Sequence, residues 1–157
     1  LLYAYKYEWQ EDCLEMWESV ISDRIDEQKD MFSDCDMIVP IPLHARRYAE
    51  RGFNQSEEIA KCISRMTGAA VVEALARTRS TMQQAHLSAS ERVNNISGVF
   101  FFLYKEMKQA VQGKRILLID DVYTSGTTIQ EASRVLLEAG AYCCEAFTLL
   151  RTPKEHL

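Results

Sequence analysis

The residues of this chain best suited to chemistry are two adjacent aspartates, Asp120 and Asp121, which close the apolar run "RILLI" and are followed by "VYTSGTT", Val122 to Thr128. A continuous apolar run of that length reads as a strand covered on both faces. The spacing then turns helical from about Thr127. The two carboxylates thus fall at the carboxyl end of a strand, where open α/β sheets hold their ligands. A helix N-terminus presents free N–H groups and a partial positive charge, which suits phosphate. Gly126 allows close backbone approach, and Thr124, Ser125, Thr127 and Thr128 supply short hydroxyls. Two carboxylates would repel a phosphate set directly on them, so they must serve another part of the ligand. They can accept hydrogen bonds from a vicinal diol and help hold magnesium through water. A molecule with a diol at one end and a phosphate at the other is a ribose 5-phosphate. The plain alternative is a solvated turn with a helix cap. A Walker-B strand is a weaker one, since no G-x-x-x-x-G-K-[ST] segment occurs.

The elements that would carry this loop can be read outward from it. Helical spacing runs from Trp9 to about Asp30, with Cys13, Met16, Trp17, Val20, Ile21 and Ile25 on one face. "DMIVPIP" predicts a buried strand over 36–41, stopped by prolines. The segment "PLHARRYAERGF" reads as a loop bearing Arg46, Arg47 and Arg51. Asn54 is placed as a helix N-cap with Glu57 as its reciprocal partner. The helix it opens carries Ile59, Cys62, Ile63 and Met66 on one face and ends near Gly68. "AVVEAL" and "GVFFFLY" predict further strands, and between them residues 77–95 are polar, aperiodic and long for a loop in a compact domain. A short helix over 105–111 precedes "RILLI". A helix over 127–139 presents Ile129, Ala132, Leu136 and Ala139, Gly140 ends it, and "CCEAFTLL" is a last strand. Alternating strands and helices predict a right-handed α/β unit with a mostly parallel sheet flanked by helices.

The chain has 157 residues, which is one domain by length, 1–157, with the N-terminal helical segment at about 9–30. It is 47% hydrophobic and 26% charged, an ordinary globular balance that can bury a core without disulfides. The net charge of -5 disfavours nonspecific nucleic-acid binding by overall charge, leaving room for a local basic patch. No apolar run reaches membrane-span length, and the N-terminus lacks a signal-peptide pattern. Five cysteines with no C-x-x-C pair argue against a disulfide framework or a zinc site and for a reducing, cytoplasmic setting. The chain does not begin with Met, which allows it to be part of something longer. His44 and His86 have no partner at metal-ligand or triad spacing and read as surface residues, Cys143 and Cys144 as core thiols, and Phe100 to Phe102 as packing.

"ILLIDDVYTSGTT" resembles the signature of the type I phosphoribosyltransferases, which bind 5-phosphoribosyl 1-pyrophosphate (PRPP). More narrowly, "VPIPLHARRYAERGFNQSEEIA", "LARTRSTMQQAHLSASERVNNISGVF" and the signature strand are similar to the ComF family, including its gluconate-utilisation relative GntX. The likeness runs from about Ile38 to Arg151, and "YAYKY" resembles the family's "LKY" segment. Family members often carry an N-terminal zinc segment with C-x-x-C pairs; this chain shows none, so it either lacks the segment or was cut after it.

The resemblance makes Asp120 and Asp121 the ribose-hydroxyl pair, in the catalytic position, and Thr124, Ser125, Gly126, Thr127 and Thr128 the 5-phosphate cradle. It makes the stretch with Pro42, Leu43, His44, Arg46 and Arg47, and Arg51 beyond it, the pyrophosphate loop. Residues 77–95, with Arg77, Arg79, Gln84 and Arg92, become a flexible hood that closes over PRPP. The implied reaction displaces pyrophosphate from PRPP with magnesium (Mg2+) held by PRPP and water near the aspartates rather than by direct protein ligands. The acceptor is not readable. The alternatives are a non-catalytic module for single-stranded DNA, linked through competence proteins to DNA uptake, or a PRPP sensor without turnover. A homo-oligomer is compatible with either reading, and no membrane partner is expected.

Overall fold

A computed structural model describes residues 11–78 and 98–152, with side chains of the first helix from Trp17 onward. In chain order the elements are α1 (Glu11–Glu27), α2 (Lys29–Ser33), β1 (Met37–Pro40), α3 (Ala45–Arg51), α4 (Gln55–Thr67), β2 (Ala70–Val71), β3 (Leu75–Arg77), β4 (Phe100–Phe102), α5 (Lys105–Ala110), β5 (Arg115–Tyr123), α6 (Thr127–Glu138) and β6 (Cys143–Arg151). Four strands form a parallel sheet in the order β2-β1-β5-β6. β3 and β4 form a separate antiparallel pair. The predicted α/β class with a mostly parallel, helix-flanked sheet is what the chain adopts.

The apolar run of β5 explains why the sheet is covered on both sides. Side chains alternate along a strand. Leu117 and Ile119 join one buried cluster with Trp17, Ile21, Phe32, Ile59, Ile63 and Phe147. Ile116 and Leu118 join the other, with Val39, Leu75, Phe100, Ala132 and Leu136. So α1, α2 and α4 cover one face, while α6 and the β3–β4 pair cover the other. The four β5 residues are at most 1% exposed. Cutting any of them to Ala would cost about 2–5 kcal/mol in lost transfer energy and cavity.

Several local expectations change. The first helical stretch breaks at Gln28 into α1 and α2, and Val20 and Met66 face outward at 38% and 41% exposure. "AVVEAL" splits between β2 on the main sheet and β3 on the small one. Phe101 is exposed while Phe100 is buried, as the pleat of β4 requires. The arginine-bearing segment expected to be a loop is the helix α3 from Ala45 onward. His44 supplies its N-cap, its Nδ1 accepting from the Arg46 N–H at 3.2 Å, and Gly52 ends it at φ 79°. Asn54 does cap α4, but its side chain accepts from the Ser56 N–H rather than from Glu57. Glu57 instead pairs with Lys61 at 2.7 Å, and the Asn54 amide donates to the Ile41 carbonyl, tying the start of α4 to the end of β1.

Candidate functional site

β5 runs through both aspartates to Tyr123, further than its apolar core. Because β1 pairs with β5 only as far as Ile119, the outer part of β5 leans on β6 alone, and Asp120 lies in register with Thr148. That leaves the β1 side of Asp120 open to the start of α4. There the Ser56 hydroxyl donates to Asp120 Oδ1 at 3.3 Å, and the Asp121 backbone N–H donates to the same oxygen at 3.0 Å. Asp120 is partly buried. That burial first, and the neighbouring charge of Asp121 second, push its carboxyl up to about 7. Two carboxylates this close cannot both be ionised cheaply without a cation or hydroxyl donors between them.

The following loop turns on Gly126, at φ 79°, which is the N-cap of α6. Gly126, the N-cap residue, makes no side-chain cap bond. The first N–H groups of α6 have no acceptor within the helix itself. The hydroxyls of Ser125 and Thr127 hydrogen-bond each other at 2.8 Å. A Cβ on Gly126 would sit 2.6 Å from the Tyr123 hydroxyl, so the Tyr123 ring forms the back wall of the loop. The Arg151 guanidinium stacks on that ring at 5.2 Å, and the Thr152 N–H donates to the Tyr123 carbonyl at 3.0 Å.

Basic residues from two other segments reach the same region. Arg77 closes β3. Burial first and the charge of Arg47 second hold its guanidinium below its usual range, while the charge of Asp120 acts the other way. Arg77, in β3, thus feels the charges of both Arg47, from α3, and Asp120, from β5. Arg77 also lies over the Phe100 ring at 5.6 Å. Arg46 is not drawn in; its Nε donates to Glu50 at 3.0 Å on an exposed face. Arg51 donates to the Gln55 side-chain oxygen at 3.3 Å. Pro42 and Leu43 form the turn between β1 and α3, half-buried. Arg79, Gln84 and Arg92 lie outside the described residues, as does most of the expected hood. The two ends of that segment are fixed: Thr78 N–H donates to the Val99 carbonyl at 2.9 Å, and Gly98 N–H donates to Glu131 Oε1 at 2.7 Å.

Three contributors escaped the sequence reading. Ser56 looked like an ordinary first-turn residue, and only the fold sets it on Asp120. Tyr123 fell in the run after the aspartates, and β5 extends to include it. Glu131 is buried in α6, where Arg134 and then the Gly98 N–H hold its carboxyl low. Its i,i+3 spacing to Arg134 was visible in the sequence.

For magnesium, the donor chemistry fits in part. Among the described residues no three His, Cys, Asp or Glu side chains converge on one point, so protein ligands alone do not build a cage. Two adjacent carboxylates with water and ligand oxygens suit an ion that keeps much of its hydration.

A phosphoribosyl transferase domain model matches residues 43–157. The chain shares its fold with adenine phosphoribosyltransferase from Leishmania donovani, at 15% identity over 92% of this chain and 55% of that one, TM-score 0.52. A hypoxanthine phosphoribosyltransferase from Staphylococcus aureus superposes equally well, TM-score 0.52 at 14% identity over 91% of this chain and 67% of that one. The fold and the family model together define a protein of the type I phosphoribosyltransferase-like class. Among curated proteins it is 38% identical to the DNA utilization protein YhgH of Escherichia coli and 33% identical to the competence protein ComFC of Bacillus subtilis, over 74% of this chain in each case. The chain belongs to the ComF family of phosphoribosyltransferase-like proteins. It spans about half the length of the curated relatives it matches: 50% of YhgH and 45% of ComFC. Among the described residues no helix is long and apolar enough to cross a membrane.

Proposed function

We propose that this domain binds PRPP together with magnesium and transfers its 5-phosphoribosyl group. The observation that carries the reading is the end of β5, where Asp120, held by the Ser56 hydroxyl at 3.3 Å, and Asp121 stand just before the Gly126 turn that starts α6, with Arg77 within reach of the charges of Asp120 and Arg47. Asp120 and Asp121 accept the ribose hydroxyls, and those donors relieve the repulsion between the two carboxylates. The α6 N-terminus, with Thr124 to Thr128, takes the 5-phosphate and supplies remote binding energy for orientation. Arg47 and Arg77 face the pyrophosphate, whose charge relieves their mutual repulsion. Magnesium, when bound, neutralises the leaving pyrophosphate. The anomeric carbon passes through an oxocarbenium-like state, so no side-chain nucleophile is called for. The acceptor that takes the ribosyl group, and cytoplasmic residence, belong to the same proposal.

Thermal unfolding and calorimetry with magnesium-PRPP test it. A ligand bound only by the folded state stabilises it by about 2.7 kcal/mol at a hundred times its dissociation constant. The wild type should gain several degrees. Asp120→Asn with Asp121→Asn should lose most of that gain while keeping some affinity for inorganic phosphate. An unshifted wild type, or an equal shift in the double variant, overturns the reading.

The relatives named for DNA utilization and competence favour a second reading, in which the domain handles single-stranded DNA. Each phosphate contact would then contribute a slope of about -0.7 in log affinity against log salt. Absence of binding at low salt by the whole protein removes that reading.

A further inference from the structure

We propose that two copies of this chain join through β6, strand to strand and antiparallel, about a two-fold axis at Thr148. The proposal is independent of the ligand reading above.

β6 is an edge of the main sheet among the described residues, paired on one side with β5 only. It is long for an edge, at nine residues. It carries no proline, no lysine and no bulge, the devices that usually protect such an edge. Its outward groups can be identified. The Tyr142 N–H donates to the Lys114 carbonyl just before β5 and the Thr152 N–H to the Tyr123 carbonyl at its end, so even-numbered residues turn their backbone toward β5. Strand alternation turns the N–H and C=O of Cys143, Glu145, Phe147, Leu149 and Arg151 the other way, toward the edge.

An antiparallel self-pair must set these odd residues opposite one another, as the doubly hydrogen-bonded pairs of the ladder. That allows only registers that differ by two-residue steps. With the axis at Thr148, Glu145 of each copy faces Arg151 of the other, and Phe147 faces Leu149. Directly opposed opposite charges and apolar pairs both stabilise a sheet. With the axis at Phe147, Arg151 faces Cys143 and Glu145 faces Leu149. With the axis at Leu149, Arg151 faces Phe147. Neither alternative matches a charge with its opposite. Glu145 and Arg151 are both exposed, as the pairing needs. The Arg151 guanidinium lies over the Tyr123 ring at 5.2 Å. The axis would pass one strand from Asp120, which is in register with Thr148. The two β5 strands would then lie roughly 14 Å apart, three inter-strand spacings.

Charge reversal and a disulfide trap test the proposal on the intact protein. Sedimentation velocity at micromolar concentration should show a dimer for wild type. Glu145→Arg alone and Arg151→Glu alone should each weaken it by about tenfold or more, and the two together should restore it. Circular dichroism of each variant separates lost pairing from lost folding. Thr148→Cys adds the only side chain that meets its own copy. A pair of that kind has Cα atoms about 4.5 Å apart, within disulfide range. Mild oxidation should give a disulfide between the two copies of position 148, identified by peptide mapping. A monomer at every concentration overturns the proposal. So does a dimer indifferent to the charge reversals, a double variant that stays dissociated, or a folded Thr148→Cys protein that forms no 148–148 bond.

Discussion

The Ser56 hydroxyl donates to Asp120 Oδ1 at 3.3 Å, joining the first turn of α4 to the end of β5 across 64 positions of sequence. The bond favours the ionised carboxylate and so opposes the burial that raises its pKa. Ser56→Ala should therefore move the Asp120 titration above its present midpoint of about 7. The fold should lose only about 1 kcal/mol, since one neutral hydroxyl is removed. A carbon-13 titration of the aspartate carboxyls would read this directly. An unmoved Asp120 midpoint would show that the hydroxyl plays no part in setting its charge.

Asp120 also sets a pH dependence of stability. The unfolded carboxyl titrates near 3.8 and the folded one near 7, so between those values the folded state binds more protons. Stability then falls as pH rises through that window, and the whole penalty is present above pH 7. The coupling with Asp121 and the partial exposure of Asp120 limit the effect to a few kcal/mol at most. Asp120→Asn cannot ionise and should flatten this slope, ending more stable than wild type on the alkaline side. Urea midpoints at a series of pH values check it; parallel curves for the two proteins would sink the idea.

Gly126 carries two separate constraints, a φ of 79° and the Tyr123 ring where a Cβ would go. Gly126→Ala should destabilise by about 1–3 kcal/mol from backbone strain alone, with the clash in addition. Tyr123→Ala beside it should recover the clash but not the strain. Full recovery in the double variant would mean that the left-handed backbone costs nothing here, and no recovery would mean that the ring is not the obstacle.

How far these features could be read from residues alone depends on the range of the interaction behind each. The strand "RILLI", the acidic pair after it and the helix beginning at Thr127 are local patterns, and all stand where the spacing put them. The Asn54 cap was legible for the same reason. The arginine segment was misread because Pro42 and Gly52 punctuate it like a loop, and α3, with no buried residue, has no apolar period to betray it. "AVVEAL" failed differently: it starts in β2 and ends at the first residue of β3, and no local signal says that the chain leaves one sheet for another between them. The contacts of Ser56 with Asp120, and of Glu131 with Gly98, span 64 and 33 positions and depend on the finished fold.

The repulsion between Arg47 and Arg77 makes a prediction with two opposite signs. Without ligand, the charge of Arg47 acts against the charged form of the half-buried Arg77. Arg47→Gln removes that charge and should leave the empty protein unchanged or stabilised by up to about 1 kcal/mol, as for other partly screened charge pairs. If pyrophosphate is what these two cations face, the same change should weaken magnesium-PRPP by about tenfold or more, the usual loss of a charge-assisted contact. A residue that is neutral or harmful to the fold and favourable to the ligand marks a site kept for binding. Arg65→Gln is the control: its guanidinium pairs with Glu18 at 2.6 Å between α4 and α1, and its loss should leave PRPP affinity alone. Chemical denaturation and calorimetry on the same preparations give both numbers. If Arg47→Gln lowers stability and leaves the affinity for PRPP untouched, Arg47 serves the fold, and the pyrophosphate must be sought elsewhere along the strand ends.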